Sequence, residues 1–180
     1  FIDIDIKSKL WEIRHTPFVD NDPRRNSRVI KWMPHRYVEC RYSLWIDGNI
    51  IIKCSIDSLI KKYLKDADIA MRKHYVRNCI YDEAQVCIKQ NLDNPDTIIA
   101  QIKRFQDDGF PTKIGLHEGG IILRRHNPKI DAFGEMVWQE ISKGSKRDQL
   151  AIDYVAWKNK IKIADMPDRN NDTCFIKIAH

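Results

Sequence analysis

Asp47, Gly48 and Asn49 close the run Tyr42-Ser43-Leu44-Trp45-Ile46, so a carboxylate stands at the end of a segment whose near-continuous apolar character predicts a strand covered on both faces. In open α/β sheets, ligands gather at the carboxyl ends of strands. Carboxylate oxygen is also what magnesium or manganese takes as a ligand, and Asn49 offers a second oxygen. The same three residues suit a β-hairpin turn for backbone reasons alone, and spacing by itself favours the turn.

Other polar residues offer partners for an anion. Arg28 and Lys31, three apart in a helical segment, share a face and can meet phosphate, one by a guanidinium fork and the other as a point charge. A solvated helix face gives the same pattern. Arg124, Arg125, His126 and Asn127 crowd the far end of a short buried strand predicted to start from the Gly119-Gly120 turn. There, Arg124, His126 and Asn127 are candidates for contacts to a substrate, or form an exposed basic corner. Glu118, beside His117 and the two glycines, is a candidate general base or an ordinary loop carboxylate. Ser145 and Asp148 are spaced as a capping pair for a last long helix, and Asp148 at a helix start also faces the ligand edge as a candidate acid. His74 follows a predicted strand and lines the ligand edge or packs in the core. Dinucleotide, P-loop, nucleophile-elbow and zincin motifs are absent from the sequence.

The elements that must position these groups alternate. Strands are predicted over 10–14, 42–47, 50–52, 68–71 and 121–125. Helices are expected over 24–32, from Ser55, over 81–91, from Asn94-Pro95 to Gly109 with Ile98, Ile99, Ile102 and Phe105 on one side, and over 128–142 and 146–158. This predicts one mixed α/β domain over 1–180 with a mostly parallel sheet flanked by helices. With 43% apolar and 31% charged residues, the chain can fill a sizeable core. Its apolar runs are too short for a membrane span. The formal charge of +6 suits a polyanion, and the scatter of positives among acids favours a local anion site over a nucleic-acid track. The five cysteines, odd in number and widely spaced, read as reduced and mostly buried, which points to the cytoplasm. A Golgi lumen or a membrane-associated location would follow if a longer protein carries an anchor.

Five segments taken together carry a resemblance: Ser27-Arg28-x-x-Lys31-x-x-Pro34-His35, Tyr42-Ser43-x-Trp45-Ile46-Asp47-Gly48-Asn49, His74-x-x-Arg77-x-Cys79-x-Tyr81-x-Glu83-Ala84, Gly120-x-Ile122-x-Arg124-x-His126-Asn127 and Ser145-x-Arg147-Asp148-Gln149. They resemble the glycosyltransferase-like family, long catalogued as a domain of unknown function, of plant seed-mucilage and turgor-related proteins and bacterial polysaccharide clusters. The resemblance implies a type A glycosyltransferase sandwich and transfer from a UDP- or GDP-linked sugar to a polysaccharide, glycan or lipid-linked acceptor. The alternative is a non-catalytic carbohydrate- or anion-binding module derived from such an enzyme. It further implies that Asp47 holds Mn2+ or Mg2+, that Arg28 and Lys31 face the donor nucleotide, and that Arg147 and Asp148 belong to the acceptor and catalytic edge. His180 would be a late metal ligand. Asp47-Gly48-Asn49 departs from the family's usual two acids, and the family's first strand is expected before Phe1.

Overall fold

The computed structural model describes residues 7–9, 12–16 and 19–178. The alternating run 1–6, Leu10 and Trp11 of the first expected strand, and His180 lie outside them; Glu12, Ile13 and Arg14 are described and carry no strand.

Helix α1 (Pro23–Trp32) starts where the sequence supplies both a cap and a preset backbone: the Asp22 side chain accepts from Arg24 N, and proline occupies the first turn. It ends at Met33, and Pro34 opens a short 3-10 turn, Pro34–Arg36. Strands β1 (Tyr42–Ile46) and β2 (Ile50–Ile52) precede α2 (Ile56–Tyr63), β3 (Ile69–Lys73) and α3 (Ile80–Lys89). Helix α4 (Pro95–Asp107) has the expected Asn94 cap, which accepts from Thr97 N, and Gly109 follows it at φ 78°. Ile98 and Phe105 are buried, whereas Ile99 points to solvent. Strand β4 (His117–Arg125) leads through the Asn127 cap into α5 (Pro128–Lys143). A 3-10 turn (Asp148–Leu150), α6 (Ile152–Lys158), β5 (Ile163–Met166) and β6 (Phe175–Lys177) complete the order.

The four-stranded sheet runs β1-β4-β3-β5. Strand β4 is antiparallel to both β1 and β3, and only β3 and β5 are parallel. The sheet is therefore mostly antiparallel, not mostly parallel as expected. Alternation of helices and strands does not fix direction, because a connection as long as α4 with its flanking loops can return a strand either way. The expectation of helices on both faces is met. One core packs Ile69, Met71 and Ile122 against Trp32, Phe105, Phe133 and Tyr154, and the other packs Ala70, Ile121 and Leu123 against Leu59, Leu64 and Phe175. Strand β1 contributes Trp45 to the first core and Leu44 to the second, so its apolar run serves both faces although it is an edge strand among the described residues.

Three further expectations are corrected. Strand β2 does not fold back on β1 but pairs with β6 in a separate two-stranded sheet. The Cys54 and Cys174 thiols, read as reduced, form a disulfide that joins the ends of those two strands, so the cysteine count no longer argues for a reducing compartment. The last helix begins at Ile152 instead of 146, because Asp148 turns its side chain inward and Ser145 Oγ donates to Asp93 (2.7 Å) instead of capping.

A partly buried ion cluster ties β4 to the last elements. His117 Nδ1 meets Asp153 Oδ1 at 2.5 Å and its Nε2 meets Asp165 Oδ1 at 3.1 Å. Burial opposes its charge, but the hydrogen bonds to Asp153 and Asp165 outweigh it and raise the imidazole pKa to about 9. A folded-state pKa above the unfolded one stabilises fully below about pH 6.5 and fades as pH rises through 9. Allowing for the half-exposed Asp165, the contribution is on the order of 2 kcal/mol. The stability gap between wild type and His117→Gln in urea should shrink by that amount from pH 6 to pH 9.5; a constant gap would refute this account.

Candidate functional site

A cavity of about 330 Å³ opens where β1 and β3 end and β4 begins. Asp47 and Asn49 enter it from the turn after β1, Arg72 and His74 from the end of β3, and Glu118 with Gly119 and Gly120 from the start of β4. Helix α1 presents Arg28 and Lys31, the segment before α6 presents Arg147, Asp148 and Gln149, and the loop before β6 presents Arg169. The carboxyl end of β1 opens on this cavity. The direction of β4 decides the rest. Because β4 runs antiparallel, its beginning lies at this edge and its far end lies away from it.

The predicted cluster at that far end is therefore corrected. Arg124 is buried, donates to Lys31 O at 2.7 Å and lies over the Trp32 ring, anchoring α1 on the sheet. His126 bridges Ser43 Oγ and Asp131 Oδ1, each at 2.8 Å, and Asn127 caps α5 by accepting from Ile130 N. None of the three lines the cavity. Ser43, His126 and Asp131 stand in the order of a nucleophilic triad, but Ser43 lies within strand β1 and not on a strand-to-helix elbow.

Four charged residues form the floor of the cavity. Lys31 Nζ is 2.6 Å from Asp148 Oδ2 and 4.0 Å from Asp47 Oδ1. Arg28 Nε lies 3.4 Å from Asp148 Oδ2, and Trp32 Nε1 donates to the same oxygen. Asp47 Oδ1 accepts from Trp45 Nε1 at 2.9 Å. Burial pulls the Lys31 amine below its ordinary value, against the pull of Asp148. Burial works to raise the Asp148 carboxyl, but Lys31 and Arg28 outweigh it and hold it far below the usual carboxylate range. An acid so held is a poor proton acceptor, so Asp148 positions Lys31 and Arg28 and is not suited to act as a base. The bulge in the β3–β4 pairing brings Gly119 onto this group. A Cβ there would stand 2.7 Å from both Asp148 Oδ2 and Lys31 Nζ, so the strand closes over the ion pair only because residue 119 has no side chain.

The walls are rich in donors. Seven basic side chains face four acidic ones. Buried nitrogens without a hydrogen-bond partner include Arg72 Nε, Arg147 Nε and Gln149 Nε2, all on lining residues; Arg28 Nε also lacks a hydrogen bond but stands in the ion pair with Asp148. Unmet buried donors are unfavourable by about 1–3 kcal/mol each, and a polyatomic anion would supply the acceptors they lack. Glu118 stands at the rim with Oε1 paired to Arg169 Nη2 at 2.8 Å, and Arg169 stacks on the exposed Tyr75 ring at 3.9 Å. His74 Nδ1 accepts from Val76 N and Arg77 N, and burial lowers its pKa, so the ring is neutral and fixed.

Sequence reasoning assigned no role to Arg72, Gln149, Arg169 or Lys177, which also line the cavity. Gln149 directly follows Asp148, so adjacency was a usable signal. Arg72, Arg169 and Lys177 lie in unremarkable sequence and reach the cavity through β3, a loop and β6.

The divalent cation expected at Asp47 and Asn49 finds a poor donor set. Asp47 Oδ1 is engaged by Trp45, and the neighbouring carboxylate, Asp148, is taken by Lys31. Among the described residues, no group of three or more His, Cys, Asp or Glu is arranged to hold a metal ion. His180 lies outside them.

Fold and cavity together define an α/β domain with a basic, donor-rich cleft at the strand ends. The chain belongs to the TOD1/MUCI70 glycosyltransferase-like domain family, whose model matches residues 7–178. It is 27% identical to the probable hexosyltransferase MUCI70 of Arabidopsis thaliana over 86% of this chain and 29% of that protein. It is 24% identical to the alkaline ceramidase TOD1 of Arabidopsis thaliana over 84% of this chain and 36% of that protein. The chain thus spans about a third of the length of these curated relatives. No solved structure matches it. Among the described residues, no helix is long and apolar enough to cross a membrane.

Proposed function

We propose that the cavity binds the diphosphate of a nucleotide-linked sugar and that the domain transfers the glycosyl group to a hydroxyl of a glycan or lipid-linked acceptor. The single observation that carries this reading is the set of buried nitrogens without hydrogen-bond partners on Arg72, Arg147 and Gln149 around one basic cavity. The 27% identity to a probable hexosyltransferase supports the choice of reaction. In transfer, the acceptor hydroxyl gives its proton to Glu118 and its oxygen bonds the anomeric carbon. The electron pair of the broken bond leaves on the phosphate, where Arg147 and Arg28 meet the developing charge. A divalent cation is what the family resemblance implies, and would supply the same neutralisation from Asp47 and Asn49. The donor set there fits it poorly, since Trp45 engages Asp47 and Lys31 takes Asp148.

Calorimetric titration with UDP and GDP tests the reading. Arg147→Ala should weaken nucleotide binding about 10- to 100-fold, the worth of a charge-assisted hydrogen bond. Arg36→Ala, on the surface and paired with Glu135, should leave it unchanged. Equal affinities for wild type and Arg147→Ala would remove the cavity from the account.

A non-catalytic anion-binding module is favoured by one observation, the ion pair that already engages Glu118 with Arg169. Nucleotide binding without turnover of any UDP- or GDP-sugar would select that reading.

A further inference from the structure

Lys31 is placed where a type of ligand is normally expected, not a side chain. Its ammonium stands between two carboxylates that come from different parts of the chain, 2.6 Å from Asp148 Oδ2 and 4.0 Å from Asp47 Oδ1, in the wall of the cavity. A pair of converging carboxylates beside an anion site is the arrangement that holds a divalent cation between protein and phosphate. Here the position is filled from within.

Four features fix the ammonium there. Its side chain is 1% exposed. The α1 backbone that carries it is held at Lys31 O by the Arg124 guanidinium. The Trp45 ring lies 5.7 Å from Nζ, and the Trp45 indole in turn holds Asp47 Oδ1. Gly119 passes so close that a Cβ would stand 2.7 Å from Nζ. A dication brought to Asp47 would face this fixed positive charge across about the same gap at which Asp47 now faces it, and would have to compete with it for Asp148. Before any ligand enters, Lys31, Arg28 and Arg147 outnumber Asp47 and Asp148 by one charge. Arg72 is already paired with Asp172, Arg169 with Glu118 and Arg77 with Glu83, so the floor group carries the excess positive charge that an incoming anion meets.

We propose that the Lys31 ammonium takes the place of the divalent cation at this site, neutralising the diphosphate of the donor, so that nucleotide binding and glycosyl transfer here need no metal. The inference rests on the reading of the cavity as a nucleoside diphosphate site and adds that its cation is covalently part of α1.

The experiment is a titration of the whole chain with UDP and with GDP, in EDTA and in millimolar Mn2+ or Mg2+. The expected result is an affinity for the preferred nucleotide that agrees within about twofold across the three conditions. Affinity at least tenfold weaker in EDTA overturns the proposal while leaving the nucleotide reading intact. Binding of neither nucleotide under any condition overturns both. Lys31→Ala provides a second measurement. Removing the ammonium should lower affinity in EDTA by about 30-fold. It should also leave Asp47 and Asp148 facing an open position, so that Mn2+ restores part of the loss in the variant although it does nothing for wild type. Circular dichroism and a melting curve establish that the variant is folded. A folded variant that binds as tightly as wild type in EDTA overturns the proposal, and if the variant does not fold, the wild-type comparison in EDTA decides alone.

Discussion

Asp148→Asn should lower the stability of the chain by about 3 kcal/mol, with a fall in melting temperature on the order of 10 °C for a chain of this length. The carboxylate is the close counter-charge of a fully buried ammonium and the partner of Arg28 and Trp32. Removing one member of a buried ion pair leaves the other desolvated and uncompensated, which is worse than lacking the pair altogether. The sign with pH follows from the depressed Asp148 pKa. Its contribution is present at every pH above the ordinary carboxylate value and is lost only as pH falls well below it, so the gap to wild type should be constant from pH 5 to pH 8. A double-mutant cycle in urea with Lys31→Met checks the assignment: the double variant should recover more than half of the loss. A loss below 1 kcal/mol for Asp148→Asn alone would mean that the pair is not held as described.

Gly134→Ala gives the second large effect, and its sign opposes helix propensity. In a helix interior, alanine is favoured over glycine by about 1 kcal/mol. Yet a Cβ at 134 would stand 2.0 Å from Trp32 O, a backbone atom that cannot swing away. Helices α1 and α5 cross there, so α1 would have to be displaced bodily, and Lys31 and Arg28 with it. The expected loss is about 3 kcal/mol, the upper end for an overpacked contact, and nucleotide binding should weaken with it. Gly48→Ala is the control, since nothing lies within 4 Å of a Cβ at that position, and its melting temperature should be close to wild type. A Gly134→Ala chain as stable as wild type would show that the helices do not cross this closely.

Much of the site was legible without the structure. Arg28 and Lys31 three apart on a helix, Asp47 closing a strand, Glu118 beside two glycines and Asp148 after Ser145 all line the cavity, because each belongs to a short segment whose own pattern sets its direction. The cluster Arg124, His126 and Asn127 was misplaced for one reason, the direction of β4. An apolar run does not record whether its neighbours run with it or against it, and reversing a strand sends its two ends to opposite edges of the sheet. The parallel sheet was misread on the same ground.

The sequence by itself determined helices α1, α4 and α5, through Asp22, Asn94 and Asn127 before Pro23, Pro95 and Pro128, since caps and proline act within one turn. It also determined the apolar runs of β1, β3 and β4, which must be buried wherever they go. Only the tertiary structure decided the antiparallel sheet, the Cys54–Cys174 bond across 120 residues, and the meeting of Lys31 with Asp47 and Asp148. These depend on segments far apart in the chain, and their contact energies exist only once both cores have formed around the sheet. A lysine that reads in sequence as one more solvated helix charge becomes the buried cation of the site because Arg124, Gly119 and Asp148 close on it from three other elements.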